Sequence, residues 1–181
     1  MLKGAEILFL DFLQEYVKND FLDWLMVRIT TLGNSAFIWI LICFFAILSK
    51  KYRKMGVVLA VGLLISFVMG NLVLKPLIAR ARPSWGEGLL QLLIDNPTDY
   101  SFPSGHTLSS FVSAYIITHY KRKAGFIVIP LAVLIAFSRL YLYVHYPTDV
   151  LGGIVLGILL GFVVTKIGDR ILKINLRKKG L

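Results

Sequence analysis

Apolar residues fill this chain in long runs separated by short polar islands. Residues 36–48 are almost wholly apolar and are closed by Lys50-Lys51-Tyr52-Arg53-Lys54. Residues 55–74 form a second run rich in Val, Leu and Gly, and 104–120, 124–143 and 148–167 give three more. A helix needs roughly 20 apolar residues to cross the hydrocarbon of a bilayer. The pattern therefore predicts an all-α integral membrane helical bundle with about five transmembrane helices. The last run carries Gly152, Gly153, Gly157 and Gly161 at helical spacings, which lets helices approach closely in lipid.

Ahead of the first run, residues 5–18 place Ile7, Leu8, Leu10, Phe12, Leu13, Tyr16 and Val17 among charged neighbours. That is the pattern of an amphipathic helix at a membrane surface. A second such segment, 21–29, leads into Thr30-Thr31-Leu32-Gly33-Asn34, a break made of turn and capping residues. The expectation is one domain over 1–181. Interfacial amphipathic helices occupy 1–34, a transmembrane catalytic core 36–167, and a basic cytoplasmic tail 168–181.

Composition sharpens this picture. At 57% hydrophobic residues the chain is too apolar for a soluble domain. Its net charge of +10 would suggest nucleic acid in a soluble protein. Here the charges sit in clusters between apolar runs, so membrane lipids and not nucleic acid are the expected partners. Thirteen of the 20 Lys and Arg residues fall in 50–54, 121–123 and the tail from Lys166. Loops rich in Lys and Arg stay cytoplasmic. A multi-pass protein of the cytoplasmic (inner) membrane is expected, with the N-terminal helices, the polar loop 75–103 and the turn 139–147 sharing the outer face. Trp24, Trp39 and Trp85 are candidate interfacial anchors. The single cysteine, Cys43, allows no intrachain disulfide.

The candidate chemistry lies in three polar islands that this topology brings to the outer face. They are Lys75-Pro76-Leu77-Ile78-Ala79-Arg80-Ala81-Arg82-Pro83, Pro103-Ser104-Gly105-His106-Thr107, and the stretch from Ser138 to Asp149. Ionisable groups beside a bilayer core are costly and are functional candidates by default. Ser104 reads as a helix N-cap, with Gly105 leaving backbone N–H groups open to a ligand. Such a terminus is an anion site. Arg82 and Arg139 add bidentate donors and Lys75 a point charge, so the favoured guest is a phosphoryl group.

Two histidines remain for the chemistry. His145 lies four residues before Asp149, which can orient its ring and free one nitrogen as a nucleophile. His106 sits among the anion donors and suits a general acid for the departing oxygen. No Asp, Glu and His cluster has metal-ligand spacing, so no metal and no cofactor is expected. His119 ends a run on the basic side and carries no expected role. Arg80 reads as a loop or headgroup contact.

In these islands the chain resembles the type 2 phosphatidic acid phosphatase superfamily, membrane lipid phosphatases related to vanadium haloperoxidases. Lys75 and Arg82-Pro83 meet its Lys, six residues, Arg-Pro motif. Residues 103–106 meet its Pro-Ser-Gly-His motif. Ser138-Arg139, His145 and Asp149 meet its Ser-Arg, five residues, His, three residues, Asp motif. The resemblance implies removal of the terminal phosphate from a lipid phosphate or diphosphate. It makes His145 the nucleophile through a phosphohistidine, Asp149 its orienting partner and His106 the acid, with Lys75, Arg82, Ser104, Gly105 and Arg139 binding phosphate. Expected substrates are undecaprenyl diphosphate, phosphatidylglycerophosphate, phosphatidic acid or the 1-phosphate of lipid A, with the first and the glycerophospholipids favoured. Two other readings compete. One is a non-catalytic anion- or lipid-binding membrane protein. The other is a vanadate-dependent haloperoxidase, which so apolar a chain argues against.

Overall fold

A computed structural model describes residues 2–86 and 91–178, with side chains over 4–86 and 91–171. Every regular element among the described residues is helical. The long elements are α1 (Leu2–Phe12), α2 (Asp20–Gly33), α3 (Phe37–Leu48), α4 (Arg53–Phe67), α6 (Gly105–Tyr120), α7 (Gly125–Tyr141) and α8 (Pro147–Lys178); α5 (Lys75–Ile78) is one turn. A wide π-type turn (Val68–Leu74) joins α4 to α5, so one continuous rod runs Arg53–Ile78. Local signals start the helices. Asn19 caps α2 by accepting from the Leu22 N–H at 3.0 Å, and Asp20 and Asp23 occupy the first turn, where the helix dipole favours them.

Four helical stretches are long and apolar enough to cross a membrane: Asp20–Leu48, Arg53–Ile78, Arg122–Tyr141 and Pro147–Ile171. In the first, α2 leads into α3, so residues 21–29, expected at the surface, extend the apolar run of 36–48. At 1.5 Å per residue the 12 residues of α3 reach about 18 Å, well short of the roughly 30 Å hydrocarbon core. With α2 the stretch has 29 residues. The two helices meet at a break where Ser35 (φ 48°) and Ala36 (φ 57°) are left-handed, a conformation that costs a side chain-bearing residue about 1–2 kcal/mol.

α6 is the axis of the bundle, packed by α4, α7 and α8. Leu108, Val112 and Ile116 are fully enclosed, and so are Thr107, Ser110 and Ser113. A helix that faces protein on every side can carry hydroxyls that lipid would penalise. Trp39 is also corrected here. Its ring is fully buried and its indole N–H donates to Ser110 Oγ at 2.9 Å, so the polar atom that would hold it at an interface is satisfied in the core. Trp24 and Trp85 remain exposed. At the basic end Asp169 on α8 pairs with Lys54 at 2.9 Å and His119 at 3.0 Å and accepts from Tyr120 OH at 2.9 Å, tying α8 to α4 and α6.

The glycines of α8 set its distance from α6. A Cβ at Gly153 would stand 2.9 Å from Thr107 Cβ, at Gly157 2.8 Å from Phe111 Cβ, and at Gly161 2.8 Å from Tyr115 Cβ. Gly157→Val therefore forces the two helices apart. Overpacking of this kind costs about 1–3 kcal/mol, and thermal unfolding in detergent should fall by several degrees. Leu159→Val, at a position 54% exposed, should leave the transition nearly unmoved.

Candidate active site

The three polar islands meet at one end of the bundle, around a cavity of about 1110 Å³. Its polar wall includes Lys75, Arg82, Gly105, His106, Arg139 and His145, and Ile40, Leu63, Leu64 and Phe67 line its apolar side. The sequence-selected residues thus gather, with two exceptions in orientation. Ser104 does cap α6, its Oγ accepting from Thr107 N–H at 3.4 Å and from Thr107 Oγ1 at 2.9 Å, but it is fully buried off the cavity wall. Asp149 is likewise enclosed behind His145.

Three cations are buried: Lys75 at 6% exposure, Arg82 at 4% and Arg139 at 3%. Burying charge without a partner is prohibitive, and the partners are specific. Asp99, from the loop between α5 and α6, bridges two of them. One carboxylate oxygen accepts from Lys75 Nζ and the other from Arg82 Nη2 at 2.7 Å. Arg82 Nε also donates to the Asp99 carbonyl at 2.7 Å. Burial pulls the Asp99 carboxyl up, but the Lys75 ammonium and Arg82 guanidinium outweigh it and hold it down at about 2. The Arg82 guanidinium is pushed the other way by burial, against the pull of Asp99. A depressed carboxyl stabilises the fold above its unfolded value near 4 and loses that contribution only as pH falls towards 2. Acid within the ordinary range will not open this clasp. A competing anion can.

His145 is 1% exposed and sits in the turn between α7 and α8. Its Nε2 lies 3.1 Å from Arg82 Nη1. A guanidinium only donates, so Nε2 carries the lone pair and Nδ1 the proton. Nδ1 points at Asp149 Oδ2 from 3.5 Å and has no hydrogen-bond partner among the described residues. Burial, then Arg82, Arg139 and Lys75, hold the ring well below its usual pKa, so it is neutral at neutral pH. Asp149 is held by others: Tyr146 N–H donates to it at 2.9 Å, the Ser101 hydroxyl donates to it, and Arg80 Nη1 donates at 2.5 Å.

Arg80 is therefore no headgroup contact. Besides Asp149 it donates to Thr148 Oγ1 at 2.7 Å and Glu6 Oε2 at 2.6 Å and lies 4.1 Å over the Tyr146 ring. Glu6 accepts from Thr148 N–H at 3.0 Å, placing a carboxylate at the α8 N-terminus, where the dipole favours it. The N-terminal segment also straps the turn between α7 and α8 through Asp11 on α1, which accepts from Tyr143 OH at 2.7 Å, and Gln14 just after α1, which donates to the Tyr141 carbonyl at 2.7 Å. On the opposite wall Arg139 Nη1 donates to Thr30 Oγ1 at 2.6 Å, and His106 Nε2 lies 2.8 Å from Asn34 Oδ1. Residue spacing could not reveal Glu6, Thr30, Asn34 or Arg80, because their partners lie 68 to 142 residues away. The signal that existed was the polar break Thr30–Asn34 between two apolar segments.

The Asp99 clasp generates a prediction. Asp99→Asn removes a charge that competes with any anion for Lys75 and Arg82. Inorganic phosphate should bind at least about fivefold tighter, roughly 1 kcal/mol, by titration of the thermal shift. The anion-free variant should unfold at lower temperature, since two buried cations lose their counter-charge. Weaker phosphate binding would make Asp99 part of the seat and not its occupant.

With this geometry in hand, comparison with known proteins is informative. The sequence profile of the PAP2 superfamily matches residues 51–173. The chain is 35% identical over 147 residues to an undecaprenyl-diphosphatase of Sulfolobus acidocaldarius, covering 81% of this chain and 70% of that protein. It is 33% identical over 171 residues to phosphatidylglycerophosphatase B of Bacillus subtilis, covering 86% and 79%. The crystal structure of a transmembrane PAP2 type phosphatidylglycerolphosphate phosphatase from Bacillus subtilis superimposes with a TM-score of 0.75 at 29% identity, over 94% of this chain and 87% of the other. An all-helical membrane bundle whose three polar islands close on one cavity, matched over most of its length by such relatives, belongs to the PAP2 superfamily of phosphatases.

Proposed function

We propose that this enzyme removes the terminal phosphate of a lipid phosphate or diphosphate through a phosphohistidine formed at His145, without a metal. One observation carries the reading. A carboxylate already sits between Lys75 and Arg82, and the lone-pair nitrogen of His145 shares Arg82 with it. The Asp99 carboxylate oxygens stand in for two phosphoryl oxygens, beside a neutral imidazole free to attack.

In the reaction the substrate phosphate displaces Asp99. Lys75, Arg82 and Arg139 take its oxygens, together with the N–H groups that Gly105 leaves open at the α6 N-terminus; the Ser104 cap holds that turn. His145 Nε2 attacks phosphorus, the bond to the bridging oxygen breaks, and His106 gives that oxygen its proton. Asp149 accepts the growing positive charge through Nδ1–H. A water deprotonated by His106 then attacks the phosphohistidine and releases inorganic phosphate, restoring both histidines. Charge stabilisation by preorganised cations is the largest contribution expected in such a site. The low pKa of His145 matters because only the neutral ring is nucleophilic.

The substrate reading follows from the apolar side of the cavity. Ile40, Leu63, Leu64 and Phe67 give a hydrocarbon chain a wall in the same cavity as the cations, so the leaving group is lipid. Relatives named for undecaprenyl diphosphate and for phosphatidylglycerophosphate support those two classes. The cavity opens at the end of the bundle opposite the basic clusters, so the site faces outward from the cytoplasmic membrane by the positive-inside rule.

Two measurements test this. Purified protein should release phosphate from lipid phosphates in EDTA, orthovanadate should inhibit it, and His145→Ala should lower kcat by more than about a thousandfold; wild-type turnover in that variant would remove His145 as nucleophile. For topology, Asp95→Cys in a Cys43→Ser background should label with an impermeant maleimide in whole cells. Protection of Asp95→Cys until lysis would place the site inside.

A further inference from the structure

The last turn of α2 and the residue that caps it place three side-chain positions at spacings i, i+3 and i+4: Thr30, Gly33 and the C-cap Asn34. All three meet the catalytic wall, although they lie far from every motif in sequence. Thr30 Oγ1 accepts from Arg139 Nη1 at 2.6 Å. Gly33 provides the space for the His106 ring, since a Cβ there would stand 2.6 Å from His106 Cδ2 and 2.8 Å from Ile135 Cγ2. Asn34 Oδ1 lies 2.8 Å from His106 Nε2. Immediately afterwards Ser35 and Ala36 take left-handed φ values. Strained backbone of this kind persists only where the surroundings over-determine it, and it clusters at functional sites.

We infer that Asn34 is a positioning residue for proton transfer, holding His106 through Nε2 so that Nδ1 delivers the proton to the leaving oxygen. The inference rests on the acid role proposed above for His106. An amide oxygen facing Nε2 requires Nε2–H, so the transferable proton belongs to Nδ1. In the transfer the P–O electron pair stays on the bridging oxygen and takes the Nδ1 proton, leaving His106 neutral. The acceptor also supports the doubly protonated ring that an acid must be, against Lys75, Arg82, Arg139 and His145 around it. α2 thereby joins the active site. It holds a phosphate-binding arginine with one side chain and the acid with another, and the break after Asn34 fixes where that turn ends.

A structural role and a proton-transfer role separate by leaving group, because general acid catalysis matters most when the departing oxygen is basic. The experiment measures kcat/KM for aryl phosphates of graded leaving-group pKa with the wild type, His106→Ala, Asn34→Ala and Asn34→Asp. His106→Ala should steepen the dependence on leaving-group pKa. Asn34→Ala should steepen it in the same direction, losing about tenfold on the most basic leaving group and less than about twofold on the most acidic. Asn34→Asp keeps an acceptor oxygen and should follow the wild-type slope. An equal loss at every leaving group in Asn34→Ala, beside a steepened His106→Ala, overturns the assignment of Asn34 and leaves that of His106 intact. A His106→Ala slope like the wild type overturns the acid role itself, and Asn34's with it. The Asn34 side chain is exposed to the cavity, so these variants keep the fold, which an unchanged unfolding temperature would verify.

Discussion

The structure depends on keeping three cations out of water at the end of a membrane bundle. Lys75, Arg82 and Arg139 are each more than nine-tenths buried, and an unpaired buried charge costs several kcal/mol even after relaxation. The surrounding architecture answers that cost. Asp99 neutralises two of the three, and Arg82 spends its remaining N–H groups on the Asp99 and Val144 carbonyls. Arg139 receives only a hydroxyl and keeps one guanidinium N–H without a partner among the described residues. The balance is incomplete: the fold tolerates cations that are under-neutralised, and in the proposed reaction an incoming phosphate completes them.

The same reasoning explains why the loop before α6 contributes a carboxylate. With Asp99 in place the free enzyme avoids two adjacent buried cations. In the proposed reaction a bound phosphate makes the carboxylate a like charge, and it leaves. Asp99 is half exposed at its side chain, so water can take it up when it is displaced. A carboxylate fixed in the core, as Asp149 is, could not exchange in this way. Asp149 accordingly has a different task, and Tyr146, Ser101 and Arg80 hold it still behind His145.

How much of this was legible beforehand divides along sequence distance. Ser104, His106, His145 and Asp149 could be read because the chemistry of each declares itself within a few residues: a cap before a helix, a histidine four residues from a carboxylate, Pro147 at a helix start. The bundle was legible because lipid imposes apolar runs. Arg80 was misread because its type and place suited a headgroup, and nothing local showed Glu6 and Asp149 converging on it. Trp39 was misread for the converse reason. The rule that tryptophan seeks the interface rests on its N–H needing a partner, and Ser110, 71 residues away, supplies one in the core. The surface assignment of 21–29 judged polarity in a short window, which hides that these residues continue into α3 as one 29-residue apolar helical stretch.

These misreadings share a cause that bears on how the family's site is built. The residues on the three motifs are the proposed reacting and anion-binding groups. The residues that aim them come from α1, α2 and the loop, where each is a single polar side chain in otherwise ordinary surroundings. Glu6 closes the end of α8, Thr30 and Asn34 hold the opposite wall, and Arg80 joins α1 to Asp149. A site whose groups must hold their geometry to within a fraction of an ångström needs such support. In a membrane bundle the support comes from outside the motif-bearing helices, since the lipid-facing sides of those helices are barred to polar groups. The N-terminal helices, though they carry none of the motif residues, are therefore part of the catalytic device: they supply hydrogen bonds that α4, α6, α7 and α8 have no remaining face to provide.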